Sequence, residues 1–262
     1  GISLKEWLLQ REKLSLEEFL LLAIATAESL GEIHAVNIIH KDINPANIVF
    51  NPETKELKII DLGISTQLSR ENPTLKNPNV LEGTLLYISP EQTGLMNRSL
   101  DYRTDFYSLG VTFYELLTKQ LPFITEDPLE LVHSHLAKQP ISPSEIDPSI
   151  PISISEIVMK LMAKNAKERY QSSWGLKADL ESCWQQLQTT GKIEVFPLAS
   201  QDISDRFSIP QKLYGREEEI ATLLSAYDRV AETGKVELMM VAGYSGIGKS
   251  SLVREQIGRA HV

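Results

Sequence analysis

Apolar residues recur at three- and four-residue steps at Leu16, Leu20, Ala23, Ile24, Ala27 and Leu30, which predicts one long helix with a single buried face. Ser15 and Glu18 in front of it form a capping box, each side chain satisfying an amide at the helix start. Ser3 predicts the cap of a shorter helix through Glu6 to Leu9. The long helix is expected to end between Gly31 and His34 and to feed directly into Ile38-Ile39-His40. Two short apolar runs, 48–50 and 57–60, flank the turn-forming Asn51-Pro52-Glu53-Thr54, the pattern of a small hairpin. Residues 65–83 are polar, with Pro73 and Pro78, and read as a long loop of the kind that is either functional or disordered. Residues 103–118 are apolar on most faces, as in a central buried helix, and Leu121-Pro122-Phe123 stops it. Further helices are predicted over 128–138, 155–164 and 172–187. A Pro- and Ser-rich connector spans 140–151, and Ser153 with Glu156 reads as another capping box.

Periodicity lapses over 188–211, which carries Gly191, Pro197 and Pro210, so an inter-domain linker is expected there, with Phe196, Phe207 and Ile209 available for packing. A new pattern starts at Leu213: Gly215-Arg216-Glu217 opens an amphipathic helix with Ile220, Leu223, Leu224 and Tyr227, and a strand over 236–241 precedes a glycine-rich loop. No internal repeat or low-complexity tract is present. The 262 residues leave room for one large domain or two. A net charge of −9 gives no basic footprint for nucleic acid or an anionic membrane surface. The single cysteine, Cys183, excludes an internal disulfide framework and agrees with a reducing, intracellular setting. It sits in a helical pattern and reads as a buried small apolar residue. The richest apolar run, 19–27, is too short to span a bilayer. No targeting segment is visible, and the opening Gly1-Ile2-Ser3 leads us to expect a piece of a longer protein.

The candidate chemistry begins at His40-Lys41-Asp42-Ile43-Asn44-Pro45-Ala46-Asn47. A carboxylate, a proline-stiffened turn and an amide five residues on suit phosphate chemistry: Asp42 to orient and deprotonate a hydroxyl, Asn47 to help hold magnesium on the phosphates. Taken singly, Asp42 and Asp61 read equally well as turn residues, and Asp105 as a helix cap. The order is what raises the functional reading. After the octet come Asp61-Leu62-Gly63, Ser89-Pro90-Glu91, Asp105-Phe106-Tyr107-Ser108-Leu109-Gly110 and Glu168-Arg169-Tyr170.

This series resembles the C-terminal lobe of eukaryotic-type serine/threonine protein kinases over residues 1–188. The resemblance implies an α+β, mainly helical lobe. It implies Asp42 as catalytic base, Asn47 and Asp61 as magnesium ligands, and Thr84 as the threonine that shapes the substrate pocket and contacts the catalytic aspartate. It also implies a buried Glu91–Arg169 pair and an Asp105 that ties the central helix to the backbone around His40 and Lys41. Leu62 stands where the family usually has phenylalanine, a conservative apolar change that still allows packing on His40. Asn44 stands where the family has lysine; an asparagine there can donate to the γ-phosphate or the nucleophile but brings no positive charge. Ser65, Thr66, Ser69 and Thr74 are candidate modification sites in the loop. No Gly-rich loop or strand lysine precedes Gly1, so residues 1–188 alone are expected to transfer little phosphate. Three readings are open: an active kinase, a pseudokinase or scaffold, and a small-molecule phosphotransferase. The Ser89-Pro90-Glu91 segment and the Glu91/Arg169 pair speak against the last.

A second site is written at Gly243-Tyr244-Ser245-Gly246-Ile247-Gly248-Lys249-Ser250, which satisfies G-x-x-x-x-G-K-[ST] between a predicted strand and a predicted helix. Gly243, Gly246 and Gly248 let backbone amides close on phosphates, Lys249 reaches the outer phosphates, and Ser250 ligates magnesium. With Tyr214-Gly215-Arg216-Glu217 ahead of it, this part resembles the opening of AAA- and STAND-type ATPases, an α/β P-loop fold. A kinase lobe joined to such a module resembles large bacterial hybrid serine/threonine–histidine sensor kinases. The expected layout is a kinase lobe over 1–188, a linker over 189–212 and the first part of a P-loop domain over 213–262. The resemblance implies ATP and Mg2+ as cofactors, a protein substrate bearing serine or threonine, further sensor domains in the parent protein, and a cytoplasmic location. The alternative keeps the lobe as a scaffold and makes the P-loop module the nucleotide switch.

Overall fold

The two N-terminal serines cap their helices as the sequence predicts. A computed structural model describes residues 1–11, 13–67, 84–94, 100–203 and scattered residues between 222 and 240. The chain divides into two units, Gly1–Asp205 and Arg206–Val262. In the first, strand β1 (Ile2–Ser3) turns straight into helix α1 (Leu4–Leu9), and Ser3 and Glu6 exchange the two bonds of a capping box. Ser15 and Glu18 do the same for helix α2 (Leu16–Ala35). Helix α2 buries Phe19, Leu20, Leu22, Ala23, Ala27 and Leu30, whereas Leu16 and Ile24 are only half-buried.

After α2 come the two-residue strand β2 (Ile38–Ile39), then β3 (Ile48–Phe50) and β4 (Leu57–Ile59), the expected hairpin, in register Ile48↔Ile59 and Phe50↔Leu57. Strand β1 adds antiparallel to the outer side of β3, and β5 (Thr66–Gln67) pairs with β2. Both are too short for any periodic signal. Helix α3 (Arg103–Thr118) occupies the predicted span and is buried along nearly its whole length. Around it stand α4 (Pro128–Ala137), the one-turn α5 (Pro143–Ile146), α6 (Ile152–Leu161) and α7 (Ser173–Thr190). Gly110 of α3 makes the α3–α6 crossing possible, since a Cβ there would lie 2.8 Å from Leu161 and from Met162. The core is continuous from Leu4 and Trp7 through α2 and α3 to Leu180 and Cys183. Burial pushes the Cys183 thiol up to about 12.

One predicted cap is corrected. Helix α6 begins at Ile152 with Pro151 at its N-cap, and its first bond runs from Ser155 N–H to the Pro151 carbonyl. Ser153 is therefore already inside the helix, buried, and its hydroxyl donates to the Glu194 carbonyl at 2.8 Å. A proline with helical φ sets the start, and the serine–glutamate spacing behind it is incidental.

The segment after α7 lies back against this unit. Ile193, Phe196, Leu198 and Ala199 pack on the core, and Ala199 N–H donates to Asp179 at 2.7 Å. Asp202 accepts from Gln171 N–H at 2.6 Å and from the Ser172 hydroxyl at 2.7 Å, beside the first turn of α7. Gly175 is required here: a Cβ on it would come within 2.3 Å of the Asp202 carboxylate.

In the second unit, the described residues Thr222, Ser225, Ala226, Arg229, Val230 and Thr233 are helical, and Gly234, with φ 64°, donates its N–H to the Val230 carbonyl. The strand expected over 236–241 is not formed by its described residues: Val236 and Leu238 to Met240 pair in no ladder, and Val236 and Leu238 are almost fully exposed. An apolar run becomes a strand only where another strand takes up its amides.

Candidate active site

The octet lies between β2 and β3, and Asp105 of α3 holds its shape. His40 N–H donates to Asp105 Oδ2 at 2.9 Å and Lys41 N–H to Asp105 Oδ1 at 2.7 Å. Lys41 is left-handed, φ 68°, a conformation that costs a non-glycine residue about 1–2 kcal/mol and that these two bonds help to fix. His34, on the last turn of α2, places Nε2 2.8 Å from Asp105 Oδ2. Asp105 is fully buried, so the expected tie between α3 and the octet exists and extends to α2.

His40 plays the structural part. Its Nδ1 accepts Asp42 N–H at 3.3 Å and its Nε2 lies 3.0 Å from the Ile60 carbonyl, which assigns the proton to Nε2. This links the octet to the end of β4. Ile60 N–H donates in turn to the Asn47 carbonyl at 2.9 Å, so Asn47 and Asp61 come from adjacent positions of the hairpin. Asp61 is left-handed, φ 65°, exposed, and accepts Gly63 N–H on Oδ1 at 3.1 Å. Leu62 is 47% exposed.

Asp42 is oriented from two sides. Thr84 N–H donates to Oδ1 at 2.9 Å and the Asn47 amide to Oδ2 at 2.9 Å, while that amide also donates to the Asp42 carbonyl at 2.9 Å. Each carboxylate oxygen keeps a lone pair for an incoming hydroxyl. Because Asn47 spends its N–H groups on Asp42, its Oδ1 is the atom left for a cation. With Asp61 that makes a pair of hard oxygen donors, the kind magnesium takes when phosphates and water fill the remaining positions. Asn44 is buried; its amide donates to the Asp42 carbonyl at 3.1 Å and to Thr84 Oγ1 at 3.5 Å.

The segment after Thr84 is fastened to the same frame. Tyr87 donates to Glu115, and burial first, then that carboxylate, pushes its hydroxyl above the usual tyrosine range. Ser108 donates to the Tyr87 carbonyl at 2.8 Å. Gln92, which no motif singled out, accepts from Ser89 N–H and donates to the Lys41 carbonyl at 2.8 Å, joining Ser89-Pro90-Glu91 to the octet. Glu91 and Arg169 form the expected pair, bidentate at 2.6 and 2.9 Å and buried. Of the predicted set, Asp42, Asn44, Asn47 and Thr84 share direct hydrogen bonds, and Asp61 joins them through the hairpin. Gly243, Gly246, Gly248, Lys249 and Ser250 lie outside the described residues, as do Ser69 and Thr74.

An aspartate oriented in this way over a mainly helical scaffold, with a buried Glu–Arg pair beneath it, defines the protein kinase class. The protein kinase domain family matches residues 1–182, and the chain belongs to it. The AAA ATPase domain family matches residues 212–261, so a kinase domain is joined to an AAA module. Hybrid signal transduction histidine kinase G of Dictyostelium discoideum is 40% identical over 192 residues, 66% of this chain and 6% of that protein. A probable serine/threonine-protein kinase of Streptomyces coelicolor is 34% identical over 183 residues, 70% of this chain and 27% of that protein. Serine/threonine-protein kinase PknB of Mycobacterium leprae is 37% identical over 153 residues, 58% and 24% respectively. The chain thus spans about a quarter or less of the length of these relatives. No helix among the described residues is long and apolar enough to cross a membrane.

Proposed function

We propose that residues 1–188 are the C-terminal lobe of a serine/threonine protein kinase that transfers the γ-phosphoryl group of ATP to a protein hydroxyl. The orientation of Asp42 by the Thr84 amide and the Asn47 side chain supports this most directly. As the substrate oxygen attacks the γ-phosphorus, its proton passes to Asp42, the bond to the β–γ bridging oxygen breaks, and ADP leaves. Asn47 and Asp61 would hold magnesium, which supplies positive charge to the phosphates when bound. Residues 189–212 connect this lobe to a P-loop module over 213–262, where Gly243, Gly246, Gly248, Lys249 and Ser250 would cradle ATP and Mg2+. We place the protein in the cytoplasm, as part of a larger signalling kinase with further sensor domains. Residues 1–188 alone hold one wall of the nucleotide cleft and are expected to transfer little phosphate.

Phosphate transfer from labelled ATP by the full-length protein tests the reading. Asp42→Ala should lower it by at least about 10²-fold, the lower end of what a positioned base supplies. Equal signal from wild type and variant would leave the lobe a scaffold and the P-loop module the switch. The uncharged Asn44 is the observation that favours this second reading.

A further inference from the structure

The side chain of Asn44 has little left to offer a phosphate. It is 4% exposed, its Oδ1 accepts Ala46 N–H at 2.9 Å, and its Nδ2 donates to the Asp42 carbonyl at 3.1 Å and, at the long end of the range, to Thr84 Oγ1 at 3.5 Å. An amide carries two N–H groups, and both are used; what remains is an acceptor lone pair, which repels phosphate oxygens. The Asp42 carbonyl receives Asn47 Nδ2 as well, so both its lone pairs are filled and the Asp42 peptide is clamped from two sides. Pro45 stiffens the turn that Asn44 closes onto Ala46.

From this geometry we infer that Asn44 is a positioning residue, which sets the Asp42 peptide and draws Thr84 towards the octet, and does not contact the transferred phosphoryl group. The kinetic part of this inference rests on the kinase reading; the clamp does not. Turning the amide towards a phosphate would remove one of the two donors on the half-buried Asp42 carbonyl, release Thr84 and break the bond from Ala46 N–H, so that one new bond replaces three. Charge on the phosphoryl group is then met by groups other than residue 44.

Four single variants and one double variant of the full-length protein test it. Asn44→Ser keeps an acceptor for Ala46 N–H and loses both amide donors. It should lower kcat at least tenfold while the KM for ATP stays within twofold, and its effect should overlap with that of Thr84→Val in the double variant. Asn44→Lys should be no faster than Asn44→Ser. Asn44→Lys at or above the wild-type rate, or a several-fold rise in the KM for ATP in Asn44→Ser, would assign a phosphate contact and overturn the inference. Hydrogen exchange reads the hold of the Asn44 side chain on the octet, the turn bond and the clamp together, without turnover: Asn44→Leu should speed exchange at Ala46 at least tenfold, and unchanged exchange would overturn it. If wild type shows no Asp42-dependent transfer while Asn44→Leu speeds that exchange, the kinase reading fails and the clamp stands. Asn44→Ser, which preserves the turn, also covers the case in which Asn44→Leu does not fold.

Discussion

Arg169 heads the fully buried side chains by volume, and all five of its N–H donors find acceptors. Nε donates to the Ala163 carbonyl, Nη1 to Glu91 and the Arg103 carbonyl, and Nη2 to Glu91 and the Lys164 carbonyl. Its guanidinium also lies 5.0 Å from the Tyr107 ring centroid. A buried cation is tolerable only with this degree of satisfaction. Glu91→Ala should therefore cost about 3–5 kcal/mol in chemical denaturation, because it strands the guanidinium. A neighbouring site sets an acid limit. His135 packs against Phe123 and Tyr107, with Nδ1 3.0 Å from the Tyr107 hydroxyl, and burial, then the Lys164 cation, lowers its pKa to about 4. Below about pH 6.5 the unfolded chain takes up a proton that the folded one refuses until about pH 4. This stability is present at neutral pH and lost as pH falls through that window, up to about 3 kcal/mol. Denaturation midpoints between pH 7 and 4 should fall less steeply for His135→Leu than for wild type.

At the scale of elements, what was legible was what local chemistry decides. The boxes at Ser3 and Ser15, the hairpin across residues 51–54 and the span of α3 follow from caps, turn residues and periodicity. The octet, Asp105 and the Glu91–Arg169 pair were legible because spacing and order matched a known family. Hidden were the pieces that only tertiary context fixes: strands β1 and β5, two residues each, and the linking roles of His34 and Gln92. The docking of residues 193–202 was foreseen only as apolar side chains without a partner. Gly175 gives the best handle on that docking. Gly175→Ala should favour α7 by itself, by roughly 1 kcal/mol of helix propensity, yet dislodge Asp202. Hydrogen exchange over 193–202 should then accelerate, and Asp202→Ala should reproduce it with Gly175 intact.

For the first unit as a whole, Asp105 is the point through which α2, α3 and the octet are held in one arrangement. Asp105→Asn offers one acceptor where two backbone amides need one each, so His40 or Lys41 N–H is orphaned. Chemical denaturation should show a loss of about 1–3 kcal/mol, and exchange at one of those amides should rise. The distance along the chain has a further consequence. Asp105 lies 65 and 64 residues beyond the amides it holds, and 71 beyond His34. During synthesis the octet leaves the ribosome well before its anchor has been made, and contacts of such separation close late. A product of interrupted translation that ends short of residue 105 carries every letter of the octet but lacks the carboxylate that holds the His40 and Lys41 amides.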